Sequence, residues 1–354
     1  MKRSLLLAVA VTLVAAACGS DNSSPSSGPV TVTLITHNAF AYTTNPNVFD
    51  QFTQQTGVKV EIPQGVGDAG VVLNKAILTK GKPEGDVLWG VDNTLLSRAV
   101  DSGAFESYTS PALSTLEPAF RDLAPGHELT PVDYGDVCIN YDKAWFASKG
   151  LAVPQTLDDL RRPVYKNLLV AENPTTSSPG LVFLLATVAK FGPNGWQQYW
   201  KDLRANGVKI TDDWTQAYTA EFSGSSGKGA YPLVVSYGSS PPAEVLGAPD
   251  PKPTDAPTGV MTDSCFRQEE FVGVLKGTKH TKEAGKLVDF LLSKTFQEDM
   301  PLNMYVYPVI SGATLPDAFT KYAVVPPTSL SLPPKDIAAN RDHWIDQWTN
   351  IVLR

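Results

Sequence analysis

Short alternating apolar runs and amphipathic segments take turns along almost the whole chain, and this alternation narrows the fold more than any other feature. Residues 30–38, VTVTLITHN, alternate as a half-buried strand does. NVFDQFTQQTG (47–57) places apolar residues at helical spacing before a terminal glycine, and VKVEIP then reads as strand. AGVVLNKAILTKG (69–81) is an amphipathic helix, GDVLWG (85–90) a strand, and NTLLSRAVDSGAF (93–105) a helix that stops at Gly103. After residue 160 the order repeats: KNLLVAEN strand, 179–191 helix, GVKIT strand, DDWTQAYTAEF helix, YPLVVSY strand, PPAEVL helix. Two later amphipathic helices span 280–293 and 334–353. Such alternation predicts an α/β fold with mixed or parallel sheets flanked by helices. About 325 residues follow Pro29, more than one core usually supports, so two lobes are expected. The chain shows no internal repeat.

The first residues give an address. MKRSLLLAVAVTLVAAACGS carries Lys2 and Arg3, an apolar run and small residues up to Cys18, the layout of a secretory signal over 1–17. Ala-Ala-Ala-Cys resembles a bacterial lipobox, with Ala15 a mild departure, so Cys18 is expected to take a diacylglycerol. Residues 18–29, rich in Ser, Gly and Pro, suit a flexible tether. Plain cleavage before Cys18 is the alternative. No later segment is apolar enough to span a bilayer. The protein is therefore expected to be exported and lipid-anchored outside the cytoplasmic membrane, at a cell surface or in a periplasm. A net charge of −7 without a Lys/Arg run argues against nucleic acid as a partner.

With Cys18 assigned to lipid, Cys138 and Cys265 form an even pair in an oxidising compartment, where a disulfide is the simplest outcome. Closing so long a loop is worth roughly 4–5 kcal/mol in the chain-entropy model. A catalytic thiol at one of the two is the other option. The four histidines, His37, His127, His280 and His343, have no metal-ligand spacing. GSSGKGA (224–230) lacks the P-loop spacing and a preceding apolar strand.

Three junctions, WGVDNT (89–94), AENPTTSSPG (171–180) and SYGSSPP (236–242), carry a strand into a helix through small polar residues. In open α/β sheets ligands sit beyond the carboxyl ends of strands, near helix N-termini. A fourth junction, ITDDWT (210–215), offers carboxylates and Trp214. In the second, Ser178 reads as the helix N-cap and Pro179 as the first helical residue. Thr175, Thr176 and Ser177 are then either donors to a polar ligand group or loop formers bonded to their own backbone. Three junctions of one design favour a ligand.

The stretches DVLWGVDNTLLSRAVDSGAF, PVDYGDVCINYDK, NPTTSSPGL, ITDDWTQAY, VVSYGSSP and YVYPVISGATLPDAF, with NRDHWIDQW near the C-terminus, occur in the order and at the spacing of the thiamine-binding proteins of bacterial ABC importers. The resemblance covers about 30–354. It implies a type II periplasmic-binding fold, with lobe 1 at 30–137 plus 263–308 and lobe 2 at 138–262 plus 309–354. It also implies a monomer without cofactor or metal that holds thiamine, or its mono- or diphosphate, and closes to deliver it to a membrane permease. A thiazolium cation calls for aromatic faces and carboxylates, and a phosphate for N–H and O–H donors. By resemblance Asp92 faces the ligand from lobe 1, and Trp214, Tyr237 and Tyr305 stack. Thr176 and Ser177, with the backbone of Ser178 and Gly180, meet the hydroxyl or phosphate end. Asp133, with Tyr134, belongs to the hinge or the site's edge.

Set against those alternatives, Asp92 is equally suited to capping the helix near residue 94, and Trp214 and Tyr237 to packing. The chain departs from its family at His37, where a Tyr is usual, at Asn38, where an Asp is usual, and at Tyr305, where a Trp is typical. Pro242 and Ala243 stand where a second cleft tyrosine is common, and Tyr42 is a candidate substitute. A related thiaminase would use Cys138 as nucleophile beside Asp136, provided that the thiol is free. A polyamine-like cation is another possible ligand, and ferric iron would want a Tyr-Tyr pair that the chain lacks. The lobe boundaries place both cysteines on the segments crossing between lobes, so their disulfide is expected to staple the hinge.

Overall fold

The computed structural model describes residues 28–43, 47–64 and 67–354, so the expected signal, Cys18 and the expected tether up to residue 27 lie outside the described residues. The first part runs β1 (Thr31–Ile35), α1 (Val48–Thr56), β2 (Lys59–Glu61), α2 (Ala69–Leu78), β3 (Val87–Asp92), α3 (Leu96–Ser102), β4 (Phe105–Glu106) and β5 (Thr130–Asp142). The middle continues α4 (Lys143–Lys149), β6 (Leu169–Glu172), α5 (Ser178–Phe191), α6 (Trp196–Ala205), β7 (Lys209–Thr211), β8 (Leu233–Tyr237) and α7 (Pro241–Leu246). The last part holds β9 (Thr258–Leu275), α8 (Thr281–Leu291), α9 (Lys294–Asn303), β10 (Tyr307–Pro308), α10 (Asp317–Tyr322) and α11 (Pro334–Val352).

The strands order as β2-β1-β3-β9-β5-β8-β6-β7, with β4 added to β9 and β10 to β5. The trio β1, β2, β3 is parallel within itself, as is the trio β6, β7, β8. Each trio joins the central pair antiparallel, β3 on β9 and β8 on β5. Parallel neighbours need crossovers, and α1, α2, α5 and α6 supply them. Every residue of β3 is buried, as a sheet covered on both faces requires. Val87 and Trp89 face an aromatic core with Phe40, Phe49, Phe52, Phe290 and Phe296. Leu88 and Val91 join a second core with α2 and α3, which continues to Phe183, Trp200 and Trp348 beneath α5, α6 and α11. The expected glycine stops hold: Gly57 and Gly103 end α1 and α3 at φ 71° and 61°, left-handed angles that cost glycine little.

Two expectations change. The helix expected over DDWTQAYTAEF is a short, wide π-helical turn, Gln216–Glu221, opened where Asp213 Oδ1 accepts the N–H of Gln216 at 2.7 Å. The N-cap of α5 is Ser177, not Ser178, and no side chain caps it. Ser178 sits one position inside the helix because its hydroxyl is drawn to the buried carboxylate of Asp92, to which it donates.

Cys138 and Cys265 are joined by a disulfide with their Cα atoms 4.2 Å apart. It falls where the register of the central pair breaks: Val137 faces Phe266 but Ile139 faces Met261, so residues 262–265 bulge opposite Cys138. Ser264 secures the bulge by accepting the N–H of Ile139 at 2.8 Å. The bond closes a loop of 127 residues, so replacing both cysteines by serine is expected to lower unfolding free energy by about 2–5 kcal/mol in a denaturant titration.

Candidate functional site

Asp133 on β5 is the cross-strand partner of Glu270 on β9, and Asp92 at the end of β3 is the partner of Glu270 on its other side. Three carboxyls therefore lie in one row across three neighbouring strands, where like charges face each other at an energetic cost. They differ in surroundings. Asp133 is pushed well above the usual carboxylate range by burial and then by the charge of Glu270. Burial also raises Asp92, to about 7, although donors at Thr94 and Leu95 pull it back. Burial pushes Glu270 upward too, but His37, Trp89 and Asp133 outweigh it and hold Glu270 below its ordinary value. Trp89 Nε1 donates to Glu270 Oε2 at 3.1 Å, and His37 Nε2 stands 3.8 Å from the same oxygen. Within the row, then, Asp133 is the carboxyl that holds a proton most readily and Glu270 the one that most readily keeps its charge.

Glu270 forms part of the wall of a cavity of about 230 Å³. His37 and Ala39 follow β1 into it, Asp68 and Ala69 open α2, and Ser178 and Pro179 open α5. Aromatic surface comes from Trp214, Tyr218, Tyr237 and Tyr305, with Met304 beside them. Trp214 and Tyr218 stack with centroids 4.9 Å apart and planes 13° from parallel, and Tyr237 meets Trp214 edge-on at 6.4 Å. Trp214 Nε1 is fixed by donating to Ser236 Oγ at 3.0 Å. Among the described residues no Lys or Arg lines this cavity. A larger groove of about 500 Å³ holds Arg267 and Glu269 on the other face of β9, without such a meeting of aromatic rings. Behind Ser178, Gln268 Nε2 donates to its hydroxyl at 2.9 Å, completing a chain from Gln268 through Ser178 to Asp92 that ties β9, α5 and β3 together.

Of the residues singled out from sequence, His37, Ser178, Trp214, Tyr237 and Tyr305 line the cavity. Asp92 and Asp133 lie behind it, buried; Asp92 accepts from the N–H groups of Thr94 and Leu95, but the N-cap of α3 is Leu95 and no side chain caps it. Thr176, Ser177, Asn38 and Gly180 are not in the wall. Thr176 donates to Asp212 O at 2.6 Å, and Thr175 to Asn173 Oδ1 at 2.7 Å, so these hydroxyls close their own loop. Ser177 turns toward Asp68. Asn38 holds Gly67 by two hydrogen bonds of 2.9 and 3.0 Å. Gly180 is packed on β6: an added Cβ would lie 2.7 Å from the carbonyl oxygen of Glu172. Tyr42 belongs to the aromatic core and donates to Asp299 at 2.6 Å, so it does not replace the missing cleft tyrosine. Tyr134 stacks between Phe120 and Tyr307 with Arg267 over its ring, outside the cavity. Cys138 is spent in the disulfide and Asp136 in a two-pronged pair with Arg267, which removes the free thiol that a cysteine nucleophile needs.

Glu270, Asp68 and Tyr218 were not singled out. The signal for Glu270 was present in RQEEFVGV, a strand too apolar to carry carboxylates without a reason. Tyr218, four residues after Trp214, lines the cavity together with Ala243.

Two parallel trios joined by paired crossing strands, with an aromatic and acidic cavity at the strand ends, define a protein built to hold a small solute. The model of the family described as bacterial extracellular solute-binding protein matches residues 82–329, and the chain belongs to that family. It is 28% identical over 324 residues to the thiamine-binding periplasmic protein of Escherichia coli, covering 91% of this chain and 94% of that one. The corresponding Salmonella typhimurium protein is 29% identical over 327 residues, with the same coverage of each chain. A solved structure titled periplasmic thiamin binding protein superposes with a TM-score of 0.80 at 27% identity, covering 92% of this chain and 96% of that one. The fold is accordingly that of the periplasmic binding proteins.

Because Gly180 carries α5 against β6, Gly180→Ala is expected to cost about 1–3 kcal/mol of stability through overpacking, read from a urea titration.

Proposed function

We propose that this chain captures thiamine outside the cytoplasmic membrane and passes it to the permease of an ABC importer. The observation that carries the reading is an ionised, buried Glu270 in the wall of an aromatic cavity without any lysine or arginine. A quaternary cation accepts no hydrogen bond from a donor and is held by ring faces and opposite charge. Two relatives named thiamine-binding, similar over nine-tenths of the chain, support the same ligand. In this reading 30–137 plus 263–308 form lobe 1 and 138–262 plus 309–354 lobe 2, closing as a monomer about the bulge at Cys138 without chemical change to the ligand. Cys18 carries the lipid anchor. The contacts proposed are Glu270, Trp214, Tyr218, Tyr237, Tyr305, His37 and Ser178, with Asp92 and Asp133 acting through Glu270 and Ser178.

Phosphate was the expected partner of the hydroxyl run, but Thr175, Thr176 and Ser178 already donate elsewhere. Thiamine is therefore expected to bind more tightly than its monophosphate, and that more tightly than the diphosphate. Calorimetry with tryptophan fluorescence on the purified protein checks the order. Tightest binding of the diphosphate would overturn it, and binding of spermidine but not thiamine would point to a polyamine protein.

Glu270→Gln is expected to weaken thiamine binding about thirtyfold or more, from the roughly 2–5 kcal/mol lost when one partner of a buried charge pair is removed. Trp214→Ala should cost about 2- to 30-fold, the cation–π range of roughly 0.5–2 kcal/mol. Equal affinities for both variants and the parent would remove these residues from the site.

A further inference from the structure

Among the described residues lining this cavity, His37 is the basic one. The residue lines the cavity and is nine-tenths buried, its Nε2 is buried with no hydrogen-bond partner, and 3.8 Å separates that nitrogen from Glu270 Oε2. Gly90 makes the placement possible: at φ 110° it carries no side chain, and a Cβ there would sit 2.7 Å from His37 Cδ2.

Every ionisable group around the ring is acidic or neutral. Glu270 faces it from β9, Asp68 from the head of α2 and Asp92 from the end of β3, while Asp133 on β5 stands beside Glu270. Tyr237 on β8 shares the cavity and stays neutral, because burial pushes its phenol up. Burial alone would lower the imidazole, yet the facing Glu270, followed by Asp68 and Asp92, raises it above its ordinary 6.5. Without ligand, then, the imidazole holds its proton more firmly than a free one does, beside the charge of Glu270.

We propose that His37 and a cationic ligand compete for Glu270, so that capture of the ligand expels one proton from His37. Two cations cannot share one buried carboxylate in a water-poor cavity without strong repulsion. The proton leaves Nε2 for solvent, the uncharged ring remains as an aromatic wall, and the ligand's charge takes its place beside Glu270. This rests on the cationic-ligand reading above and adds a linkage to it. The sign follows directly: the ligand lowers the pKa of His37, so affinity rises with pH through the imidazole pKa of the free protein and levels off above it.

The test is thiamine titration of the purified full-length protein between pH 5.5 and 8.5, in pairs of buffers with different ionisation enthalpies, for the parent and for His37→Gln. The parent is expected to release a number of protons that approaches one per ligand at the acid end and falls to zero at the alkaline end. Its affinity should change up to tenfold per pH unit, and His37→Gln should give a flat profile. Release that persists in His37→Gln and vanishes in Asp133→Asn would move the proton to the carboxyl row and overturn the proposal. Zero release, or proton uptake, in the parent would do the same.

If His37→Gln fails to fold, the imidazole NMR signals of the parent decide: a ring at pH 6.5 must lose its proton on saturation with thiamine, and a still-charged ring overturns the competition. Thiamine binding without proton linkage sinks only this inference. No thiamine binding at any pH sinks the proposed function and this inference with it.

Discussion

The antiparallel pairing of β5 with β9 is the constraint on which the rest depends. Each strand runs from one parallel trio into the territory of the other, so their register fixes how both halves of the sheet meet. That register sets Asp133 opposite Glu270, while β3 adds Asp92 on the outer side. Everything at the cavity follows from this row. The raised carboxyl of Asp133, the lowered one of Glu270 and the raised imidazole of His37 are one electrostatic answer to three carboxyls in neighbouring strands.

Such a row is a poor way to stabilise a sheet. Buried carboxylates lose hydration that hydrogen bonds return only in part. The surrounding structure offsets the loss with two large apolar cores and the disulfide beside the bulge. Strain of this kind is expected where a ligand completes the charge balance. The same view explains the hydroxyl run at 175–178: Ser178 serves the row by donating to Asp92, and its predecessors shape the loop that presents it.

The register of the central pair shifts at two places, between Pro131 and Asp133 and at the bulge of residues 262–265, and the cysteines bridge the second. A covalent tie at that point keeps the two crossing strands together whatever bending occurs around it. The cavity lies among strand ends and helix starts contributed from both sides of the pair, so a bending motion there changes its width directly.

The sequence by itself determined the alternation of the outer strands and helices, the glycine stops at Gly57 and Gly103 and the cysteine pairing, but not the long central strands β5 and β9, and the aromatic wall of Trp214, Tyr237 and Tyr305 came from the family resemblance. Alternation and stops depend on periodicity and capping, readable within a few positions, and the pairing on there being just two cysteines left in an oxidising compartment. Which hydroxyls stay free, where Ser178 turns, and that Glu270 stands between Asp92 and Asp133 were decided only by the tertiary structure. Glu270 meets its partners across 178 and 137 positions of chain, and a one-residue slip of either strand would turn it to the opposite face. Local pattern cannot encode that register; packing of both trios against the central pair does.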